Sequence, residues 1–85
     1  MVTTSDDQNF VVENYNKGRY EGQKKNGVRH GFGTFYYKEG GKYTGQWKDN
    51  RMDGKGTLYY YNQRVAYEGE WKEDRLWGSG TLYNE

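Results

Sequence analysis

Large and small residues alternate along the chain in short runs, and each run ends on a turn signal. Tyr43-Thr44-Gly45-Gln46-Trp47-Lys48 sets Tyr43, Gly45 and Trp47 at every second position. A period of two marks a β-strand with two distinct faces. Asp49-Asn50 follows, and then Arg51 to Tyr59 alternates again through Met52, Gly54, Gly56 and Leu58. Asn and Asp tolerate positive φ, which a two-residue type I′ turn requires. The pattern therefore predicts a hairpin centred on Asp49-Asn50. Asn26-Gly27 and Glu73-Asp74 hold the matching turn positions.

The hairpin recurs. Tyr20-Glu21-Gly22, Tyr43-Thr44-Gly45 and Tyr67-Glu68-Gly69 stand 23 and then 24 residues apart. Gly31-Phe32-Gly33-Thr34, Gly54-Lys55-Gly56-Thr57 and Gly78-Ser79-Gly80-Thr81 keep the same spacing. The extra residue falls between Tyr59 and Ala66, which reads as a connector, because insertions collect in loops. A further turn at Glu39 to Gly41, with Tyr61-Asn62-Gln63-Arg64 as its looser counterpart, joins successive hairpins into one antiparallel meander.

Simple pairing outward from each turn sets Lys48 against Arg51, Trp47 against Met52, Gly45 against Gly54 and Tyr43 against Gly56. In the third repeat it sets Trp71 against Leu76, Gly69 against Gly78 and Tyr67 against Gly80. Rings thus lie beside residues without a side chain. Glycine weakens a strand and marks a close approach; here a ring covering bare backbone is the expected neighbour. Leu58, Leu82 and Phe35 continue the apolar face.

The ends depart from the pattern. Lys24 stands where Trp47 and Trp71 stand, and Arg29 replaces Met52 and Leu76. Two facing cations destabilise a core, so they are expected to turn to water at an N-terminal cap. Phe10-Val11-Val12 is expected to add one strand, within about 10–14. Residues 1–9 are polar and acidic and are expected to be flexible. Past Glu85 no capping element follows, which is expected to mean self-association, a longer array, or a tolerated exposed end. Trp77 sits on the opposite face from Trp71.

Composition supports a folded chain. Of 85 residues, 32% are hydrophobic, yet 19% are aromatic, with ten Tyr and three Trp. A disordered chain is poor in aromatics. Cys is absent and His30 is the single His, so no thiolate or His-cluster metal site is expected. A net charge of +1 gives no reason to expect nucleic acid as a partner. No apolar run suggests a signal peptide or a membrane span.

Tyr67-Glu68-Gly69-Glu70-Trp71-Lys72 with Gly78-Ser79-Gly80-Thr81-Leu82-Tyr83 resembles a MORN (membrane occupation and recognition nexus) repeat. Tyr43 to Lys48 with Asp53 to Tyr59 resembles it equally. Tyr20-Glu21-Gly22 with His30 to Thr34 is similar apart from Lys24. The resemblance covers about Gly18 to Tyr83 and gives repeats at about 18–40, 41–64 and 65–85 within a domain spanning 10–85. It implies an all-β fold, an elongated twisted antiparallel meander. It also implies a non-catalytic module that contacts proteins or membranes, in settings that include cilia and the cytoskeleton.

No catalytic set is recognisable, and no cofactor is expected. The first functional expectation is a cytoplasmic protein-interaction scaffold, associated with the cytoskeleton or a cilium. Its aromatic face (Tyr20, Tyr43, Trp47, Tyr67, Trp71 and Trp77) would receive a peptide or helix. The alternative is acidic phospholipid binding through Lys24, Lys25, Arg29, Lys48, Arg51, Lys72 and Arg75 at the hairpin tips. Asp49, Asp53, Glu73 and Asp74 lie among these cations and dilute the charge that polybasic lipid sites need. Cross-strand ion pairs or a solvated edge are the blander expectation.

Overall fold

The computed structural model describes residues 10–85; the expected flexible segment, 1–9, lies outside them. Seven strands form one sheet: β1 (Phe10–Tyr15), β2 (Gly18–Lys25), β3 (Val28–Tyr37), β4 (Lys42–Lys48), β5 (Arg51–Tyr59), β6 (Val65–Lys72) and β7 (Arg75–Leu82). They lie side by side in chain order, and every pair is antiparallel. The result is an all-β meander about 48 Å long.

The three hairpin tips form where the turn residues predict. Asp49 and Asn50 have φ of 52° and 71°, and Glu73 and Asp74 have 52° and 70°. Asn26 and Gly27 behave alike, at 52° and 83°. Positive φ at both central residues is the type I′ signature, whose twist suits the flanking strands. The turn between hairpins one and two is closed by Tyr37 N–H donating to the Gly41 carbonyl at 3.1 Å. Its counterpart is closed by Tyr60 N–H on the Arg64 carbonyl at 2.8 Å.

The register corrects the simple pairing. Trp47 does face Met52, but Gly45 faces Gly56 and Tyr43 faces Leu58. Likewise Gly69 faces Gly80 and Tyr67 faces Leu82, and Gly22 faces Gly33. Each second strand carries a bulge at the first glycine of its Gly-x-Gly. Gly54 is the example: its φ of 102° lies where residues with a β-carbon are strained. The extra residue between repeats two and three also becomes a bulge. Leu58 pairs with Tyr67 and Tyr59 with Val65, which leaves Ala66 unmatched and buried.

The core is a single line of rings: Tyr20, Phe35, Tyr43, Trp47, Tyr67 and Trp71. Val11, Tyr37, Met52 and Leu58 pack along it. β7 is exposed along its whole length.

Candidate functional site

The rings interlock as an alternating zipper. Tyr20 meets Trp47 edge to face at 5.4 Å, and Trp47 meets Tyr43 at 5.3 Å. Tyr43 meets Trp71 at 5.2 Å, and Trp71 meets Tyr67 at 5.3 Å. Edge-to-face pairs of this kind contribute about 0.5–1.5 kcal/mol each beyond burial. Each tyrosine lies over the second glycine of its own repeat: Tyr20 over Gly33, Tyr43 over Gly56, Tyr67 over Gly80. A methyl group at any of these glycines would overlap the phenol above it. The phenol hydroxyl then turns back on its own strand, donating to the carbonyl three residues on. Tyr20 donates to Gln23 at 2.7 Å, Tyr43 to Gln46 at 2.8 Å and Tyr67 to Glu70 at 2.9 Å.

Tryptophans carry the contact between repeats. Trp47 Nε1 donates to the Gly33 carbonyl at 3.0 Å, and Trp71 Nε1 to the Gly56 carbonyl at 3.1 Å. Glycine matters twice here: it admits the ring of its own repeat and leaves its carbonyl open to the indole of the next.

This arrangement corrects the expected partner surface. Tyr20 and Tyr43 are 0% exposed, Tyr67 4%, and Trp47 and Trp71 5%. The rings cover one another and the glycine backbone, so they form interior. Among the six aromatic candidates, Trp77 alone is open, at 56%. Burial raises the Tyr20 phenol pKa to about 12 and also raises those of Tyr43 and Tyr37.

The first repeat is capped differently from the expectation. Lys24 does not turn to water; it is half-buried and pairs with both carboxylate oxygens of Glu13 on β1 at 3.0 Å. The Tyr15 hydroxyl also donates to Glu13, and with Lys24 it lowers the carboxyl pKa. Arg29 is half-buried too. Its guanidinium lies 4.9 Å from the Trp47 ring centre, near Tyr15, Tyr20 and Phe35, and donates through Nη2 to the Asn50 carbonyl at 2.9 Å. An arginine stacked on rings keeps its charge while filling an apolar position.

The remaining tip cations, Lys25, Lys48, Arg51, Lys72 and Arg75, are exposed. Lys72 sits 5.1 Å from the ring centre of Trp77. The two ion pairs among the described residues, Arg19–Glu21 and Lys24–Glu13, both lie away from this row. The tip acids instead accept from backbone. Asp74 Oδ1 accepts from Met52 N–H at 2.8 Å, and Asp53 from Glu73 N–H at 3.3 Å. His30 and Asp53 are half-buried at the position that Trp77 occupies in the third repeat.

Two sets of residues with a structural role escaped the sequence reading. Gln23, Gln46 and Glu70 hold the bulges: their Oε1 atoms accept from Phe32 N–H at 2.7 Å, Lys55 N–H at 2.6 Å and Ser79 N–H at 3.2 Å. The signal was present, since every Tyr-x-Gly is followed by an amide or carboxylate side chain. Asn50 and Asp74 are the second set. Beyond shaping their turns, they clasp the preceding hairpin at Arg29 and Met52.

Among the described residues, large apolar side chains are exposed at both ends of the sheet: Phe10, Val12 and Tyr15 on β1, and a second group on β7 and just past it. Leu76, Trp77, Leu82 and Tyr83 are all exposed. Trp77 borders a groove of about 620 Å³ between the second and third tips, with Gln46, Arg51, Asp53, Glu70 and Lys72 along it. A family model of the MORN repeat matches three consecutive segments, residues 20–42, 43–63 and 67–84. None of the curated proteins matches the chain.

Proposed function

Because the chain belongs to the MORN repeat family, we propose that it acts as a non-catalytic docking module for a protein partner. One observation carries this reading: large apolar side chains stand exposed on the sheet, Leu76, Trp77, Leu82 and Tyr83 on and just past β7 and Phe10, Val12 and Tyr15 on β1. Exposed aromatic and aliphatic side chains suit a protein interface, where Trp and Tyr dominate the binding energy. The Trp77 groove adds polar groups of both signs beside the ring, as an interface rim does. The proposed setting, a cytoplasmic assembly on the cytoskeleton or in a cilium, rests on family resemblance alone.

The test compares the parent chain with the variant Trp77→Ser plus Leu82→Ser as bait in quantitative capture from a cell extract. Both side chains are exposed, so circular dichroism should show an unchanged sheet. The reading expects a defined set of captured proteins to fall at least tenfold with the variant. An unchanged set removes it. Flotation with anionic vesicles at physiological salt forms the second arm. With Lys24 and Arg29 occupied and acids set among the other tips, no flotation is expected. Anionic-lipid-dependent flotation that survives the variant would move the function to acidic phospholipid.

A further inference from the structure

The three hairpin tips share one turn geometry but are not held alike. Asn50 and Asp74, each the second residue of its turn, clasp the preceding hairpin twice. Asn50 N–H donates to the Arg29 carbonyl at 3.0 Å, while Asn50 Oδ1 accepts from Arg29 N–H at 2.8 Å. Asp74 repeats both bonds on Met52, at 3.0 and 2.8 Å. Gly27 holds the same place in the first tip and has no side chain to accept with. Among the described residues, no backbone bond ties Asn26 or Gly27 to another hairpin. Lys25, Asn26 and Gly27 are all exposed, and a methyl group at Gly27 would meet nothing within 4 Å.

Of the chain's asparagines, only Asn26 precedes a glycine. A glycine nitrogen is the least hindered main-chain nucleophile, because no β-carbon shields its approach. A closed type I′ turn keeps that nitrogen off the side-chain carbon, since a ψ of about +30° at the first central residue points it away. Attack therefore requires the tip to open. The clasps oppose opening at the second and third tips and do nothing at the first. Asp53 also precedes a glycine. A carboxyl is a poorer electrophile than an amide, however, and Asp53 lies within β5 with Oδ2 accepting from Glu73 N–H at 3.3 Å.

We propose that Asn26 is a site of spontaneous covalent modification in the folded chain, losing its amide through a cyclic imide with Gly27. The Gly27 nitrogen bonds to Asn26 Cγ. The amide nitrogen departs as ammonia, taking up the proton that Gly27 gives up. Water then opens the five-membered imide. Opening at the side-chain carbonyl gives Asp; opening at the main-chain carbonyl gives isoaspartate, whose main chain runs through Cγ. Either product adds one negative charge to a chain of net charge +1. The two differ in what they do to the tip. Asp suits it, since Asp49 holds the equivalent place at the same φ of 52°. Isoaspartate lengthens the main chain by one carbon, and a two-residue loop cannot absorb it while Lys25 stays opposite Val28. The strand ends then fray as far as Lys24 and Arg29, which Glu13 and Asn50 hold from other strands and turns.

To test this, the folded full chain is incubated at physiological pH and temperature, and peptide mapping by mass spectrometry locates each exchange of amide for carboxyl. Enzymatic methylation of isoaspartyl carboxyls counts that product. The proposal expects conversion at Asn26 while Asn50 and Asn62 keep their amides, with isoaspartate the larger product. Gly27→Asp copies the residue that Asp74 supplies at a φ of 70°. That variant should keep the parent's dichroism, and its conversion at Asn26 should be at least tenfold slower. Amide hydrogen exchange reads the opening step, and should be at least tenfold faster at Gly27 than at Asn50. An intact Asn26 in the folded parent, over a time in which the urea-unfolded chain converts fully, would overturn the site. So would equal loss at Asn50, an unchanged rate in Gly27→Asp, or exchange at Gly27 as slow as at Asn50.

Discussion

A single phenol does three jobs in this molecule. Tyr43 covers Gly56, donates to the Gln46 carbonyl and presents its ring to both Trp47 and Trp71. None of these contacts survives ionisation well, because a phenolate is buried at a cost and can no longer donate. Tyr20, in the same situation, has its pKa raised from 10.0 to about 12 by burial. The folded state therefore holds the neutral form more tightly than the unfolded chain does. That stabilisation is complete below pH 10.0 and is lost as pH rises from there through about 12. Ultraviolet titration followed beside circular dichroism reads this. Tyr20 and Tyr43 should ionise only together with loss of the sheet. Ionisation of Tyr20 and Tyr43 near pH 10 with the dichroism intact would contradict this account. Arg29 shows the other way a residue can suit the zipper, through a charged plane laid on Trp47 instead of an apolar side chain.

Within a hairpin, the bulge decides how the glycines are used. It moves Gly56, not Gly54, opposite Gly45 and beneath Tyr43. The amide side chain of Gln46 bonds Lys55 N–H across it at 2.6 Å. Gln46→Leu should cost about 1 kcal/mol and speed hydrogen exchange at Lys55. Gln46→Glu should restore both, as Glu70 already serves the third bulge. Equal exchange in all three proteins would remove the side chain from the bulge's support. This element also marks the limit of what sequence makes legible. Asp49-Asn50 and its counterparts located the tips, and Tyr43, Trp47 and Leu58 located the inner face. The bulge stayed hidden because it offsets the register by two residues, which leaves a period-two pattern intact. Lys24 and Arg29 misled for another reason. Their partners, Glu13 and Trp47, come from a neighbouring strand and a neighbouring repeat, beyond the reach of pairing within one hairpin. The openness of the inner rings was likewise misjudged, because edge-to-face packing between repeats closes a surface that each hairpin alone would leave bare.

Across the described residues, each strand pairs only with its neighbours in chain order, and the rings reach one strand further. Stability therefore passes from repeat to repeat through the rings, as in other one-dimensional arrays. Gly56 sits at the middle of that line, beneath Tyr43 and bonded through its carbonyl to Trp71. A methyl group there has to push a ring that is held on both sides, and overpacking of this kind costs about 3 kcal/mol. Lys55, next along the same strand, is exposed, so Lys55→Ala is the matched control and should change stability by about 0.5 kcal/mol or less. The most direct test of ring-over-glycine locking is thermal unfolding of Gly56→Ala beside Lys55→Ala. The account predicts a fall of about 15 °C for the first and almost none for the second. Equal melting temperatures would contradict it.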